Sequence, residues 1–389
     1  MVRISDILKK LKQEQEASKG EESKAPPSQQ PSKLEKENPG SKEKGMEGEK
    51  GGEAAKDHIT FIEAMKHNEP EKPSKANIHE IVKKAIPEKG EGQNIYNETI
   101  ECCKKMAAGY AEDRETEKDM IVDIAGRISD HILLGGQELL SLAAEPYPDE
   151  EDFRILDLVD TGIIAGYISS SLNYNKSKLM EVVMTGLFHD VGMFKDFDFV
   201  KEARKLTVEE LHQMRGHPEK GALYLQGLAA FSEEVIEGVL YHHERINGEG
   251  YPQGVSNDDI SEYAKIVAIA DVYEAMTHKR PHKDKTSSPS DAIKELISFN
   301  QVLFNPRVLK ALIETVGIYP IGSWVEINSG EICRVLATNE GFPLRPVLSV
   351  AFDGNRKRLD EMRTIDLKSK PSLYIKRPVE ESELKKQLI

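Results

Sequence analysis

A long polar stretch limits how much of this chain can fold. From Gln13 to about Gly92 the sequence consists largely of Lys, Glu, Ser, Pro, Gln and Gly, with hardly any aromatic residue. Such a segment cannot bury enough apolar surface to offset the entropy that is lost on ordering. We therefore predict a disordered charged tail over residues 1–92, which starts with a short amphipathic helix because apolar residues recur at helical spacing between Ile4 and Leu11.

The rest of the chain, about 300 of its 389 residues, is richer in Leu, Ile, Val and Ala and can supply a core. Residues 93–150 carry apolar side chains at helical intervals, which predicts a small helical region. Residues 151–318 show the same periodicity and are predicted to form a helical bundle. Short β-rich runs separated by turn residues predict a small antiparallel sheet over 319–389. The expected fold class is mainly α.

Composition excludes several classes of protein. The formal net charge of −14 argues against a protein that binds nucleic-acid polymers, because such proteins need a basic face. No apolar run approaches the roughly 20 residues that a transmembrane helix requires, and the N-terminus lacks the apolar stretch of a signal peptide. Three cysteines, two of them adjacent, suit a reducing compartment. We expect a cytoplasmic protein, and the net charge leaves room for a small anionic ligand in a local basic pocket.

Histidines and acids are concentrated in four short motifs, each at or near the end of a predicted helix. They are HDVG at His189 and Asp190, HPEKG at His217, HHERINGEGYP at His242 and His243, and IADVYEAM at Asp271. Imidazole and carboxylate ligands together suit Fe, Mn, Zn or Ni, and this many ligands imply more than one ion. The alternative is a set of core histidines that hydrogen-bond to the backbone, but the combined pattern argues against it.

These motifs, in this order, resemble the HD-GYP subfamily of HD-domain phosphohydrolases over roughly residues 153–352. The resemblance implies an HD-domain helical bundle with two or three divalent metal ions, for which we expect Fe or Mn, and cyclic di-GMP as the usual substrate. It also implies a catalytic role for His189 and Asp190, with Asp190 as the carboxylate that bridges two ions. The residues that match the family's metal ligands are His189, Asp190, His217, His242, His243 and Asp271.

Three positions depart from the family pattern. Asp157 stands where the family has a further ligating His, and we expect the carboxylate to replace it as a metal ligand. Phe153 stands where members with three metals have a Glu, so we favour a dinuclear centre. Met193 replaces a Lys that contacts phosphate, and Met can neither donate a hydrogen bond nor carry charge.

A basic pair in the stretch THKRPHKD resembles the family's phosphate-contacting segment. We expect Arg280 to hold the substrate phosphodiester through its fork of donors, and Lys283 to supply a mobile charge. The alternative is that both residues are solvated in an exposed loop.

The signature loop after the tandem histidines supplies the remaining expected site residues. Asn247, Gly250 and Tyr251 are predicted to contact the substrate, with Tyr251 beside the guanine. An equally weighted alternative is that the loop is structural or docks a protein partner. Glu244 and Glu274 are predicted to orient ligating imidazoles or bound water from outside the ligand shell.

The function expected from these residues is metal-dependent hydrolysis of cyclic di-GMP, or a related cyclic dinucleotide, to linear pGpG, GMP or both. An alternative is a receptor that keeps the metals and the pocket but is slow or inactive because of Asp157 and Met193. A third, less favoured, is a mononucleotide phosphohydrolase. Besides the nucleotide, the expected partners are a protein that docks on the loop or the tail, or a second copy of the chain.

Overall fold

The computed structural model describes residues 90–114, 118–148, 151–283, 286–299, 302–339, 341–379 and 383–384. All of these residues belong to one compact unit. The predicted tail and its N-terminal amphipathic helix lie outside the described residues, apart from the last three tail positions, where the first described helix begins.

Helices account for most of the described chain. In order they are α1 Glu91–Ala111, α2 Lys118–Leu133, α3 Glu138–Leu142, α4 Phe153–Ser171, α5 Lys176–Phe188, α6 Val208–Met214, α7 His217–Leu228, α8 Glu233–Tyr241, α9 Glu262–Thr277, α10 Pro289–Ser298 and α11 Pro306–Val316. Two short 3-10 turns, Val191–Phe194 and Asp198–Lys201, lie between α5 and α6.

Helix α4 is the centre of the bundle. Its residues from Phe153 to Ser169 are all buried, and it packs against α1, α5, α9 and α11. A helix that is apolar on every side is typical of a core position. Two acids on this helix, Asp157 and Asp160, are nevertheless buried with it. Because buried carboxylates are costly unless they are paired or hydrogen-bonded, these two positions need partners.

A pair of glycines sets the crossing of α4 and α5. A Cβ atom on Gly186 of α5 would lie 2.5 Å from the Cα atom of Gly162 on α4. Only glycine permits this approach of the two backbones. Since α5 ends at Phe188, the crossing places the two residues that follow, His189 and Asp190, beside the N-terminal half of α4.

The strands follow the last helix and form one antiparallel sheet. They are β1 Trp324–Ile327, β2 Ile332–Ala337, β3 Val347–Phe352, β4 Arg358–Asp366 and β5 Ile375–Val379, in the spatial order β4-β3-β2-β1-β5. Alternate side chains such as Val325, Val335 and Val350 make up a core cluster of the sheet. The predicted fold class, mainly α with a small β-rich C-terminal segment, is confirmed. Within the described residues, no helix combines the length and apolarity needed to cross a membrane.

Candidate metal centre

Three of the predicted ligands have their imidazole rings oriented by a helix end. His189 follows α5, His242 follows α8, and His217 follows the last turn of α6. In each case Nδ1 lies 2.6–2.7 Å from the backbone carbonyl oxygen three residues earlier. A carbonyl can only accept, so Nδ1 carries the proton and Nε2 presents a lone pair. The backbone therefore prepares three Nε2 atoms as potential ligands.

The first group of potential ligands consists of Asp190, His217, His242 and His243, whose ligand atoms all lie within 4.8 Å of one another. The Nε2 atoms of His217 and His242 are 3.2 Å apart, and Asp190 Oδ1 lies 2.8 and 3.4 Å from them. Two lone-pair nitrogens cannot hydrogen-bond to each other. Ligand atoms at about 2.0–2.2 Å around one ion are spaced in this way, so the group fits a cation at its centre.

The second group consists of Asp157, His189 and Asp271, all three buried. His189 Nε2 has no hydrogen-bond partner, although its surroundings exclude solvent. It lies 3.8 Å from Asp190 Oδ1, so the two groups are adjacent. A buried acceptor without a donor is costly, and a metal ion would satisfy it. The two groups together contain all seven predicted ligand residues.

The pKa shifts in the first group favour the protonation states that bind metal. Burial disfavours the ionised form of Asp190, but attraction to His217 and His189 in their protonated forms outweighs it and holds the pKa of this carboxyl well below its usual value, so Asp190 is ionised before the imidazoles lose their second proton. Burial lowers the pKa of His242, and it lowers the pKa of His243 further, with repulsion from neighbouring imidazoles adding to the effect. Ionised carboxylate and neutral imidazole are the forms that bind metals.

The two residues of the basic pair, Arg280 and Lys283, both donate hydrogen bonds within the protein. Arg280 Nη2 is 2.8 Å from Asp157 Oδ1 and 2.5 Å from Glu274 Oε2, and 3.6 Å from Asp271 Oδ1. Buried acids already engage this nitrogen, and the predicted hold of Arg280 on the substrate phosphodiester stays a prediction. Lys283 donates to the carbonyl oxygen of Ala275, near the end of α9, at 2.8 Å.

The signature loop folds back onto the tandem histidines. Asn247 Oδ1 accepts from the backbone amide of Glu249 at 3.1 Å, so this side chain shapes the turn. The Tyr251 ring centroid lies 4.6 Å from that of His243, and the Arg215 guanidinium lies 5.4 Å from the centroid of the Tyr251 ring. Tyr251 thus covers one side of the first group. Gly250 is packed against the backbone of the segment that carries the histidines.

The two glutamates predicted to orient ligands differ in their contacts. The Glu244 carboxylate accepts from the backbone amides of Gln253 and Gly254, at 2.7 and 3.0 Å. It therefore fastens the loop, while its predicted role in orienting an imidazole or bound water stays a prediction. Glu274 is linked to the second group by Arg280, which contacts both Glu274 and Asp157. Burial opposes its ionisation, but the Arg280 guanidinium outweighs this and lowers the pKa of Glu274 to about 2.

Sequence reasoning missed a set of buried polar residues behind the second group. Tyr147 donates to Glu274 at 2.5 Å and stacks on His278, with ring centroids 4.4 Å apart. Tyr96 of α1 donates to Asp160 at 2.8 Å. Asp160 carried a signal, since it is a second acid on the apolar helix α4. The tyrosines carried none, because their partners are more than sixty residues away in sequence.

The two apolar departures from the family pattern belong to one cluster. Its buried members are Phe153, Met193, Phe197 and Val200. The side chain of Met193 therefore packs among apolar neighbours. Lys195, the nearest cation in sequence, donates to Asp113 at the end of α1 at 2.6 Å.

Comparison with known proteins identifies two matching family models. The HD domain model matches residues 141–308, and a model described as a KOW domain associated with the HD domain matches residues 324–387. The first match contains every residue of the two ligand groups.

Several characterised relatives are similar in sequence. A cyclic di-GMP phosphodiesterase of Pseudomonas aeruginosa is 31% identical over 282 residues, which cover 71% of this chain and 67% of the relative. The cyclic di-GMP phosphodiesterase PdeB of Borreliella burgdorferi is 26% identical over 222 residues, covering 57% and 58%. A 3′3′-cGAMP-specific phosphodiesterase of Vibrio cholerae is 28% identical over 159 residues, covering 40% and 36%. The chain thus spans less than two thirds of the second and third relatives.

Proposed function

The chain belongs to the HD-GYP subfamily of HD-domain proteins, and from this premise we propose that it hydrolyses cyclic di-GMP or a related cyclic dinucleotide with two divalent transition-metal ions. The proposed ligands are the seven residues of the two groups. Mixed imidazole and carboxylate donors suit Fe or Mn better than Mg or Ca. We also propose that residues 151–318, the helical bundle predicted from the sequence, form the hydrolase domain.

The observation that carries the proposal is the convergence of lone pairs. Backbone carbonyls fix the proton on Nδ1 of three histidines, so their Nε2 atoms face Asp190 and one another without donors between them. A core of structural histidines would instead satisfy its buried ring nitrogens with hydrogen bonds. His189 Nε2, which has none, supports the metal-binding interpretation.

Asp190 is the residue best placed to serve both ions. Its Oδ1 lies 2.8 Å from His217 Nε2 in the first group and 3.8 Å from His189 Nε2 in the second. Bound divalent ions would withdraw charge from the phosphodiester and make water acidic enough to attack it near neutral pH. The protein then contributes positioning and electrostatics and needs no covalent nucleophile.

Residues around the two ligand groups are proposed to contact the nucleotide. Tyr251 is partly exposed beside His243 and can present an aromatic face to a base. Lys283 is exposed in the segment that follows α9 and can reach a phosphate by giving up its hydrogen bond to the Ala275 carbonyl oxygen. Arg280 can donate to substrate only from the nitrogens that the acids leave free.

A receptor function is the second candidate, and one observation favours it. Met193 and Phe153 are buried in an apolar cluster, so neither position supplies a charged group for phosphate or a third ion. Such a protein would bind the nucleotide and hydrolyse it slowly. We also propose a cytoplasmic location, which the buried, unpaired cysteines support, and a protein partner or second copy at the loop or tail.

Turnover by the metal-loaded full chain tests the proposal. The protein would be loaded with Fe²⁺ or Mn²⁺ without air, incubated with cyclic di-GMP and in parallel with 3′3′-cGAMP, and the nucleotides separated over time. We expect a linear dinucleotide from at least one substrate and none from an Asp190→Asn variant. Tight binding without product would favour the receptor. Neither binding nor product from the loaded protein would refute both functions.

A further inference from the structure

Three carboxylates from two helices surround one guanidinium beside the second group. Asp271 and Glu274 are three residues apart on α9, so they lie on the same face of that helix. Asp157 approaches from α4. Arg280, three residues beyond the end of α9, places Nη2 within 3.6 Å of an oxygen of each acid.

Because these side chains are buried, their charges must be paired within the protein. The exposed fraction of the side chain is 2% for Asp157, 7% for Asp271 and 0% for Glu274. That of Arg280 is 13%. Charges that are removed from water must be paired, and an arginine cannot lose its proton in a protein. Burial and repulsion from Glu274 raise the pKa of Asp157 well above its usual value despite the attraction of Arg280, so the three acids are not all ionised in the metal-free protein and Arg280 is the cation that pairs with those that are.

The two ligand groups differ in this respect. Within the described ranges, no Lys or Arg side chain forms an ion pair with Asp190, whose nearest partners are the imidazoles of His189, His217 and His242. Asp157 and Asp271 of the second group both lie within ion-pair distance of Arg280. An ion that enters the first group meets no resident cation, whereas an ion that enters the second must compete with one.

Glu274 can keep its ion pair with Arg280 when an ion binds to the second group. It belongs to neither ligand group, and Tyr147 and His278 contact its Oε1 at 2.5 and 3.3 Å. Its Oε2 is left for Arg280. When an ion takes Asp157 and Asp271, Arg280 can therefore turn toward Glu274 without being expelled from the protein.

Resting on the proposed function, we propose that Arg280 is a resident cation of the second ligand group that competes with the metal there. The first group fills at low metal concentration. The second fills only when the ion displaces Arg280 from Asp157 and Asp271, so this residue sets how many ions the protein holds.

Titration of the metal-free full chain with Mn²⁺, followed by calorimetry and by elemental analysis after dialysis, tests this order. The wild type should bind one ion tightly and a second at least about tenfold more weakly. Arg280→Gln should tighten the second step about tenfold or more, since the competing charge is gone. Arg280→Lys keeps the charge and should retain a weak second step. Arg204→Gln, which removes the same charge from an exposed pair with Glu210, should match the wild type.

Two equal tight sites in the wild type, or an unchanged second step in Arg280→Gln, would overturn the proposal. If Arg280→Gln does not fold without metal, electron paramagnetic resonance of the wild type decides alone. With one equivalent of Mn²⁺ we expect the signal of isolated ions, and a spin-coupled pair at that ratio would contradict sequential filling. Failure to bind any Mn²⁺ would instead refute the metal centre of the proposed function.

Discussion

Gly250 lies so close to Glu244 that a Cβ atom on the glycine would be 2.4 Å from the Glu244 Cα atom. The backbone of the signature loop is thus pressed onto the segment that carries His242 and His243. The same segment is tied to the loop from the other direction, since the Glu244 carboxylate accepts two loop amides. The loop and the tandem histidines behave as one structural element.

Gly250→Ala should separate the loop from the histidines, because the new methyl group meets backbone and not a flexible side chain. We expect a loss of about 1–3 kcal/mol in stability and a lower kcat/KM. Thermal unfolding and turnover would measure both. Gly227→Ala is the matched control, since a Cβ there has no neighbour within 4 Å. Equal behaviour of the two variants would show that the close approach has no consequence.

Asp190→Asn should remove bound metal as well as turnover, because this carboxylate belongs to the first ligand group and adjoins His189 of the second. We expect elemental analysis to show the loss of at least one ion per chain, and activity to fall at least about a hundredfold. Asp196→Asn, an exposed position nearby in sequence, should keep both properties. Full metal content in Asp190→Asn would exclude Asp190 as a ligand.

Glu244→Gln separates two roles for this glutamate. If it fastens the loop, the variant keeps an acceptor but loses charge-assisted hydrogen bonds, which contribute about 1.5–3 kcal/mol each. KM should then rise several-fold while metal content stays at the wild-type level. If Glu244 orients an imidazole instead, metal affinity should fall. Steady-state kinetics combined with metal analysis distinguishes the two outcomes.

Met193→Lys tests the apolar cluster beside the site. An ammonium placed among Phe153, Phe197 and Val200 has no acid to pair with in that cluster, so we expect a loss of at least about 2 kcal/mol. Met193→Leu conserves volume and should cost less than about 1.5 kcal/mol. Urea unfolding would measure both variants. A fully stable Met193→Lys protein would remove the structural support for the receptor function.

Motifs and periodicity predicted the fold class and named the seven residues that the structure gathers into two groups. They did so because helix ends and neighbouring histidines are local features of sequence. The partners of Arg280 and Glu244 could not be predicted in the same way. Asp157 is 123 residues from Arg280, and the loop reaches Glu244 only after it reverses direction. These contacts depend on how α4, α9 and the loop pack, which no short motif records.

Metal retention is linked to the fraying of three helix termini. The link is the hydrogen bond that Nδ1 of His189, His217 or His242 donates to a carbonyl oxygen near a helix end. A helix terminus that opens for a moment releases the carbonyl, and with it the orientation of one imidazole. By mass action, ions that are held by these rings must also hold the last turns of α5, α6 and α8 closed. A chelator should therefore accelerate amide hydrogen exchange at these three termini, while the C-terminal sheet exchanges at its former rate.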